Sequence, residues 1–304
     1  MRVFVTGATG VMGRAAVSAL HSAGHDLVGL ARDADRATAL TDMDVRPAPG
    51  NLFDRDSLVA AFWDCDAVCN MATHVPVGSP SLRPRAWRLN DRIRSEGSRV
   101  VAEAARLAGV RRLVQESVSF VYADGGEEWI DEDSPVAVTR AAEPVVLAET
   151  HTENFVSPTR DGVVLRFGHI VGDDGLTRWR LARARSGHAV GMGRPDSWTH
   201  LVHPDDVGSS VLAALSAPSG TYNVGSEPVR RADVVAAFAE AAGADGGTFY
   251  RRSVLRLGGE RLEWLMRSQR VSSQRFARRT GWKACEETFG VHWFEPLGAG
   301  ARGA

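Results

Sequence analysis

The chain has 304 residues, of which 44% are hydrophobic and 24% are charged, and its formal net charge is −1. This composition is typical of a soluble globular protein. The balanced charge excludes the broad basic surface that a nucleic acid or an anionic membrane would require. No apolar run approaches the ~18 residues of a membrane span, and the sequence begins directly with an apolar strand. We therefore expect a cytoplasmic protein with no signal peptide and with no nucleic-acid or membrane partner.

Short apolar strands alternate with helical segments through the first half of the chain. Such alternation predicts right-handed crossovers and a parallel sheet covered by helices on both faces, which is a Rossmann-like doubly wound α/β fold. The pattern loosens after residue 171, in a stretch rich in Arg, Gly and Trp. The predicted strands cover residues 2–6, 25–32, 44–52, 66–73, 111–119, 162–171 and 220–227, and the predicted helices include 14–23, 56–64, 86–108 and 231–243.

A glycine-rich segment, TGATGVMG at residues 6–13, follows the first strand and opens the first helix. In that position Gly7 and Gly10 permit a tight turn with open backbone N–H groups, and Gly13 permits close packing of the helix on the strand. The helix N-terminus attracts negative charge, so the segment predicts the pyrophosphate site of a dinucleotide. The predicted cofactor contacts here are Gly7, Thr9, Gly10, Val11, Met12 and Gly13.

The end of the second strand indicates which nicotinamide cofactor the chain prefers. Enzymes that use NAD usually place Asp or Glu there to bind the ribose hydroxyls, whereas this chain has Ala31 followed by Arg32. A guanidinium group attracts the 2′-phosphate that a carboxylate would repel. We therefore predict NADP(H) as the cofactor, with Arg36 one helical turn later as a second cation.

These segments resemble the extended short-chain dehydrogenase/reductase family over nearly the whole chain. Besides the glycine loop, GNLFDRDSL at 50–58, CNMATHV at 69–75, LRFGHIVG at 165–172 and HLVHPDDV at 200–207 are similar to motifs of that family. The resemblance implies that the first of these segments meets the adenine and that the next two pass the rest of the cofactor. The further cofactor contacts that it implies are Asn51, Leu52, Met71, Ala72, Thr73 and Phe167.

The resemblance also implies two domains. Residues 1–166 are expected to form the NADP-binding Rossmann domain, with residues 197–220 packing back onto it. Residues 167–304 are expected to form mainly a smaller α/β substrate-binding domain. The glycine- and alanine-rich residues 298–304 are predicted to be a disordered tail.

Neither the cysteines nor the histidines predict a metal site. His200 and His203 form a His-x-x-His pair, but the resemblance makes this segment a structural turn in which His203 and Asp205 hydrogen-bond the backbone. An odd number of cysteines at irregular spacing fits reduced thiols better than a disulfide framework or a zinc site. The three cysteines are Cys65, Cys69 and Cys285.

The catalytic groups of the family are missing from this sequence. Its members use a Ser or Thr, a Tyr that donates the proton to the carbonyl, and a Lys four residues later that lowers the pKa of that Tyr. The corresponding positions hold Val118, Val145 and Glu149. No alignment restores the pair, because none of the tyrosines is followed four residues later by Lys, and the single lysine is Lys283. A carboxylate among so many arginines favours an ion pair for Glu149, the alternative being a surrogate acid.

A reductase without that Tyr needs another source for its proton. Water could donate it, or the substrate could carry a phenol adjacent to its carbonyl. The nearest polar side chains in the sequence are Ser117, Ser119, Tyr122 and His74. The residues predicted to border the substrate are Val75, Phe120, Val145, His169, Trp179 and Met192.

Within the family, the pattern is most similar to atypical ketoreductases that tailor aromatic polyketides of the angucyclinone and simocyclinone type. We predict an NADPH-dependent ketoreductase that reduces a carbonyl of a polycyclic aromatic substrate, with a proton from the substrate or from water. The alternatives are a non-catalytic NADP(H)-sensing or scaffold protein of the same fold and a sugar-nucleotide epimerase or dehydratase. The sequence specifies no oligomeric state.

Overall fold

The structure is a computed structural model that describes residues 1–256 and 259–298, so the predicted tail lies outside the described residues beyond Gly298. Its strands are β1 (Arg2–Thr6), β2 (Asp26–Ala31), β3 (Arg46–Pro49), β4 (Ala67–Asn70), β5 (Arg112–Val118), β6 (Trp129–Ile130), β7 (Asp161–Phe167), β8 (His169–Ile170), β9 (Trp198–Thr199), β10 (Leu201–Val202), β11 (Gly220–Val224), β12 (Val229–Arg230) and β13 (Arg270–Val271).

The helices follow the same order along the chain. They are α1 (Val11–Ser22), α2 (Ala34–Thr41), α3 (Arg55–Ala61), α4 (Arg88–Arg92), α5 (Ser98–Leu107), α6 (Glu143–Glu153), α7 (Gly175–Arg185), α8 (Pro204–Ala214), α9 (Arg231–Ala242), α10 (Arg252–Arg256), α11 (Glu260–Met266), α12 (Gln274–Thr280) and α13 (Glu295–Gly298).

Seven parallel strands form the central sheet, in the order β11-β7-β5-β4-β1-β2-β3. The chain moves from β1 outward through β2 to β3, then crosses back and continues from β4 on the other side of β1. The direction of winding therefore reverses between β1 and β4. In open parallel sheets, ligands bind beyond the carboxyl ends of the strands at such a reversal. The sheet confirms the predicted Rossmann-like fold.

Apolar side chains of alternating strand residues face opposite layers of helices, so the sheet is covered on both faces. One face packs on α1 and α8 through residues such as Val5, Val17 and Val211. The other packs on α3 and α5 through residues such as Phe4 and Val101. Both clusters are nearly free of solvent exposure, as expected for a doubly wound sheet.

The predicted long helix at 86–108 is interrupted, and this is a finding that the sequence pattern did not show. Between α4 and α5, residues Ile93–Gly97 form a π-helical turn. Its wider turn accompanies a buried Arg94, whose guanidinium donates from Nε and Nη2 to the Glu116 carboxylate of β5 at 3.1 and 2.7 Å. π-bulges inside helices often occur where a side chain is redirected toward a site.

The C-terminal part packs beside the carboxyl end of the sheet. α7 and α9 share an apolar cluster with Val190, Trp293 and Phe294, which is separate from the two sheet cores. α9 ends at Gly243, whose left-handed backbone (φ 67°) closes the helix as the sequence predicted. No helix among the described residues is long and apolar enough to cross a bilayer.

Candidate functional site

The glycine loop makes close backbone contacts at the carboxyl end of β1. Gly7 has a φ of +64°, and a Cβ there would lie 2.7 Å from the carbonyl oxygen of Met71. A Cβ on Gly13 would lie only 2.0 Å from the Gly7 carbonyl oxygen, so a side chain at residue 13 would push α1 away from the loop. Gly10 caps α1 without a side-chain hydrogen bond, which leaves the first N–H groups of the helix available to phosphate oxygens.

Two predicted cofactor cations lie next to this loop, at the end of β2. Arg36 donates from Nη1 to Thr9 Oγ1 at 2.8 Å, so its guanidinium lies directly against the loop. The Arg32 side chain is 66% exposed and donates from Nε to Asp33 Oδ2 at 3.2 Å. Asp33 also caps α2 by accepting from the Arg36 backbone N–H, so its carboxylate is already engaged. Arg36 is thus held against the loop, whereas the exposed Arg32 is held only by a surface contact with Asp33.

The other predicted cofactor residues differ in exposure. Asn51 is exposed, and its Oδ1 accepts the Phe53 backbone N–H at 3.0 Å in a local turn. Phe167 is 1% exposed within the main core, so any contact it makes with a cofactor is through its backbone. Beyond β4 the predicted residues begin against the glycine loop, where Met71 and Ala72 contact Gly7. Met71 is buried, and Ala72 and Thr73 are half-buried.

A row of buried polar side chains crosses three strands below the loop, and sequence reasoning missed it. Thr6 donates from Oγ1 to Asn70 Oδ1 at 2.5 Å, and Asn70 donates from Nδ2 to Gln115 Oε1 at 2.8 Å. Gln115 in turn donates to the Glu116 carbonyl oxygen at 2.8 Å. The row connects the carboxyl ends of β1, β4 and β5. The signal in the sequence was a polar residue at the end of β1, another at the end of β4 and a third in the middle of β5.

The two positions predicted to have lost the family's hydroxyl groups belong to one apolar cluster. Val118 at the end of β5 and Val145 on α6 are 8% and 2% exposed, and they share a cluster with Ala142 and Trp264. Phe120 packs on its border. No polar side chain therefore replaces the Ser and Tyr of the family at these two positions.

Glu149, at the position predicted for the family's Lys, is one half of a buried ion pair. Its carboxylate accepts from Arg166 Nε at 2.8 Å and from Arg166 Nη2 at 2.7 Å, with side-chain exposures of only 6% and 10%. The Ser117 hydroxyl donates to the same carboxylate. The Arg166 guanidinium also stacks over the Tyr122 ring at 4.9 Å. This is the ion-pair arrangement expected for Glu149, and it leaves the carboxylate no free direction toward a substrate.

Two further candidate proton donors are equally occupied. Ser119 is 1% exposed, and its Oγ lies 3.0 Å from His200 Nδ1. The Tyr122 hydroxyl is buried and donates to Asn223 Oδ1 at 2.8 Å, and burial raises the pKa of Tyr122 to about 12. Ser117, Ser119 and Tyr122 are thus poor donors despite their place in the sequence, because each hydroxyl is enclosed and bonded. His74 alone of the four suggested side chains is exposed.

Aromatic rings border the apolar cluster. The Phe120 ring stacks on His169 with centroids 4.4 Å apart and planes at 6°, and it meets Trp264 edge-on at 4.8 Å. Burial, aided by the positive charges of Arg231 and Arg180, lowers the pKa of His169 to about 3. His169 is therefore a neutral aromatic surface at physiological pH. Trp264, on α11, was not predicted, because an apolar helix far along the chain carries no local sign of its neighbours.

Among the described residues, none of the remaining predicted substrate residues stacks on these rings or hydrogen-bonds to them. Val75 is exposed after β4, and the half-buried Trp179 of α7 lies beside Gly78. The Met192 carbonyl accepts from Arg231 Nη1 at 2.7 Å. Arg231 thereby connects this segment to α9.

The histidine turn is structural. His203 caps α8, and its Nδ1 accepts the Asp205 backbone N–H at 3.3 Å. Asp206, rather than Asp205, accepts backbone N–H groups from elsewhere, those of Cys285 and Glu286 at 2.6 and 3.2 Å, because Asp205 points to solvent. Within the part of the chain that the structure describes, no three His, Cys, Asp or Glu side chains are grouped to hold a metal ion.

Comparison with known proteins identifies relatives along most of the chain. Residues 3–225 match the profile of the NAD dependent epimerase/dehydratase family. A 3-diazoavenalumate denitrifying reductase from a Streptomyces species is 33% identical, over 98% of this chain and 99% of that protein. A ketoreductase of Stigmatella aurantiaca that acts on a 3-oxo-farnesyl-dihydroquinoline oxide is 32% identical, over 41% of this chain and 36% of that protein.

Solved structures show the same fold at lower identity. A human epimerase family protein with bound NADPH superposes with a TM-score of 0.79 and 22% identity, over 97% of this chain and 98% of that chain. The UDP-glucose 4-epimerase of Thermus thermophilus with bound NAD also has a TM-score of 0.79, with 23% identity and complete coverage of both chains. Proteins of this fold therefore hold either nicotinamide cofactor.

Proposed function

Because this chain belongs to the NAD dependent epimerase/dehydratase family, we propose that it is an NADPH-dependent reductase of an aromatic substrate that works without a side-chain proton donor. One observation supports the proposal. Val118 and Val145 form an apolar cluster at the positions predicted for the family's hydroxyl groups, and Glu149 forms a buried ion pair with Arg166. The glycine loop at the other end of the cleft is intact.

The residues around the loop fit NADP(H). The open N-terminus of α1 suits a pyrophosphate, and Arg36 and Arg32 supply two cations where a 2′-phosphate would lie. When bound, the reduced nicotinamide supplies a hydride. The part of this chain is to hold the acceptor in position and to exclude water, since no enclosed hydroxyl is free to move a proton.

The missing acid restricts the kind of acceptor. A general acid typically accelerates a carbonyl reduction by about 10²–10⁴-fold, because the developing alkoxide must be protonated. Positioning alone supplies the remaining rate enhancement. An acceptor that becomes neutral on receiving hydride needs no general acid, and an acceptor that carries its own acid supplies one. The missing side-chain donor does not slow the reduction of either. Both kinds of acceptor fit an apolar, aromatic pocket.

An aryl diazonium ion is the acceptor that we favour. The relative that matches over nearly its full length is named as a denitrifying reductase of a diazo compound. A diazonium group that receives a hydride becomes a neutral aryldiazene, Ar–N=N–H, which releases N₂ and leaves a C–H bond on the ring. Charge is balanced without a proton donor. Phe120, which stacks on His169 and meets Trp264 edge-on, gives this region aromatic side chains for the aryl ring of the acceptor to pack against.

A polycyclic ketone with an adjacent phenol is the second candidate. Its phenol would hydrogen-bond the carbonyl and release a proton to the alkoxide, leaving a phenolate and requiring no protein Tyr. The shorter match to a ketoreductase and the aromatic lining of the pocket support this reading.

A turnover assay separates these functions. The protein is incubated with NADPH and, in parallel, a hydroxylated aryl diazonium ion, a polycyclic ketone with an adjacent phenol, the same ketone with the phenol methylated, and UDP-glucose. Loss of nicotinamide absorbance and the mass of the product are followed. Gly13→Val, which blocks the loop, measures the uncatalysed reduction of the diazonium ion.

Each outcome assigns a function. Release of N₂ only from the diazonium ion supports the favoured reading, and reduction only of the phenolic ketone supports the second. Equal reduction of both ketones contradicts the need for a substrate acid and directs attention to the exposed His74. Epimerised UDP-sugar contradicts the reductase proposal. Tight NADPH binding with no turnover of any compound favours the non-catalytic sensor.

A further inference from the structure

Arg180 is a largely enclosed cation with almost no protein partner. It lies on α7, and its guanidinium stacks 4.1 Å above the Phe238 ring in the apolar cluster of the C-terminal part. Its one hydrogen bond is a long one, from Nη2 to the Val190 carbonyl oxygen at 3.4 Å. Nε and Nη1 bond to none of the described residues, and neither is sealed from solvent. Buried guanidinium groups normally have their donors satisfied.

No carboxylate of the described residues pairs with Arg180. Asp174, the acid whose charge is felt most at Arg180, uses its carboxylate to cap α7, accepting from the backbone of Leu176 and from the backbone and hydroxyl of Thr177. Burial lowers the pKa of Arg180 to about 10, against the opposing charge of Asp174. The side chain stays charged at physiological pH, and its positive charge lacks an internal counter-ion.

Arg231, the neighbouring enclosed cation, shows a different arrangement. It donates to three backbone carbonyls, those of Met192, Leu265 and Arg267, at 2.7 to 2.9 Å. These bonds hold the segments around the aromatic surface together, so Arg231 has a structural task. Arg180 makes no comparable set of hydrogen bonds, and it differs from Arg231 in having two nitrogen donors, Nε and Nη1, without a partner among the described residues.

The contacts of Arg180 lead toward the aromatic surface. Arg180 donates to the Val190 carbonyl oxygen, and two residues later the Met192 carbonyl oxygen accepts from Arg231. Arg231 also donates to the carbonyl oxygen of Leu265, the residue next to Trp264.

The charge of Arg180 contributes to the lowered pKa of His169, the ring that stacks on Phe120. The region therefore combines an apolar cluster around Val118 with a cation, Arg180, that has one long hydrogen bond.

We propose that Arg180 binds an acidic group of the substrate, a carboxylate in the first instance, while the aromatic ring of the substrate lies against Phe120 and His169. The substrate class is then an aromatic acid whose reducible group and acidic group are at opposite ends. This inference rests on the proposed function, because it takes the aromatic pocket to be the substrate site.

The first test measures binding, which needs no turnover. 4-Hydroxycinnamate and its methyl ester are titrated into the NADP⁺-bound protein, with tryptophan fluorescence as the readout. We expect the wild type to prefer the acid at least tenfold. Arg180→Met should abolish this preference by weakening acid binding and leaving ester binding unchanged, and Arg180→Lys should retain part of it. Arg178→Gln, which removes an exposed arginine of the same helix, is the matched control and should bind like the wild type.

Stability supplies a check on folding. Because Arg180 has so little to bond with in the free protein, Arg180→Met should melt at the same temperature as the wild type or higher. A large drop in melting temperature would show a structural role and contradict the proposal. Arg180→Lys keeps the charge and tests binding should the Met variant not fold.

The outcomes separate this inference from the proposed function. Acid preference that depends on Arg180, in a protein that turns over none of the acceptors tested above, supports the acid site and contradicts the reductase. Turnover with equal affinity for acid and ester, in both the wild type and Arg180→Met, supports the reductase and overturns the acid site.

Discussion

The glycine loop and the region around Val118, the two ends of the predicted active site, differ in which residue types of the family the chain retains. At the glycine loop, each residue type that pyrophosphate binding requires is present, and the backbone packs so closely that a Cβ on Gly13 would lie 2.0 Å from a carbonyl oxygen. At the predicted hydride end, the positions expected for the hydroxyl and ammonium groups of the family hold Val118, Val145 and Glu149, and the surrounding polar side chains are enclosed and bonded.

The difference shows that cofactor binding and proton delivery are physically separable on this fold. Holding a dinucleotide depends on backbone shape and on a helix terminus, whereas delivering a proton depends on a few titratable side chains. A chain can therefore lose the second and keep the first. The predictions below test whether the two ends are independent, beginning with the loss of cofactor binding and finishing with the smallest expected effect.

A side chain at residue 13, where the glycine loop packs on α1, should greatly weaken cofactor binding. Gly13→Val places a branched side chain against the Gly7 carbonyl, so we expect the Kd for NADPH to rise by more than about 100-fold, roughly 2.7 kcal/mol. Fluorescence titration measures it. Gly10→Ala is the matched control, because its Cβ would meet the nearest atom at 3.2 Å and requires only a small adjustment. Similar losses for both variants would contradict a specific role for the Gly13 contact.

Breaking the ion pair at the hydride end should affect stability. Glu149→Leu leaves the Arg166 guanidinium buried without its counter-ion, so we expect a loss of about 3–5 kcal/mol in the free energy of unfolding. Urea denaturation measures it. Replacing both residues with Leu should recover much of the loss. Arg92→Ala, which breaks the exposed pair with Glu96, should cost less than about 1 kcal/mol. An equal loss for both single variants would show that burial of the Glu149 pair is unimportant.

Removing the predicted phosphate cation should change cofactor choice. Arg32→Ala should weaken NADPH binding by roughly 10–100-fold, since a charge-assisted hydrogen bond contributes about 1.5–3 kcal/mol. NADH binding should be unchanged, because NADH has no 2′-phosphate. Parallel titrations with the two cofactors measure the ratio. Equal weakening of both would remove the case for NADP(H) at this position.

Restoring a hydroxyl at the hydride end should have the smallest effect. Val118→Ser returns the family's residue type, yet we expect kcat for the accepted substrate to change by less than about threefold, far below the 10²–10⁴-fold contribution of a general acid. Steady-state kinetics measure it, with Val118→Ala as the control for lost packing. A large gain for Ser over Ala would show that the chemistry does need a protein hydroxyl.

Several features of the fold and the site could be predicted because they depend on neighbours in the chain. The strand periodicity located β1, β4 and β5 to within a few residues, and the spacing of the glycines identified the loop. The absence of Tyr-x-x-x-Lys followed from the residues themselves. The interruption of the helix at 86–108 was missed, because it accompanies an ion pair between Arg94 and Glu116 that lies across two elements.

The sequence by itself determined the type of fold. It also predicted the site of the dinucleotide phosphates and the loss of the usual proton donor. Each of these features depends on the spacing of residues that are close together in the chain, and the regular geometry of helices and strands fixes where such residues lie. Only the tertiary structure decided that Glu149 pairs with Arg166, that Trp264 joins Phe120, and that Arg180 is left without a partner. Those contacts form between side chains that are distant in the sequence. They depend on how the segments pack, which the spacing of residues along the chain does not specify.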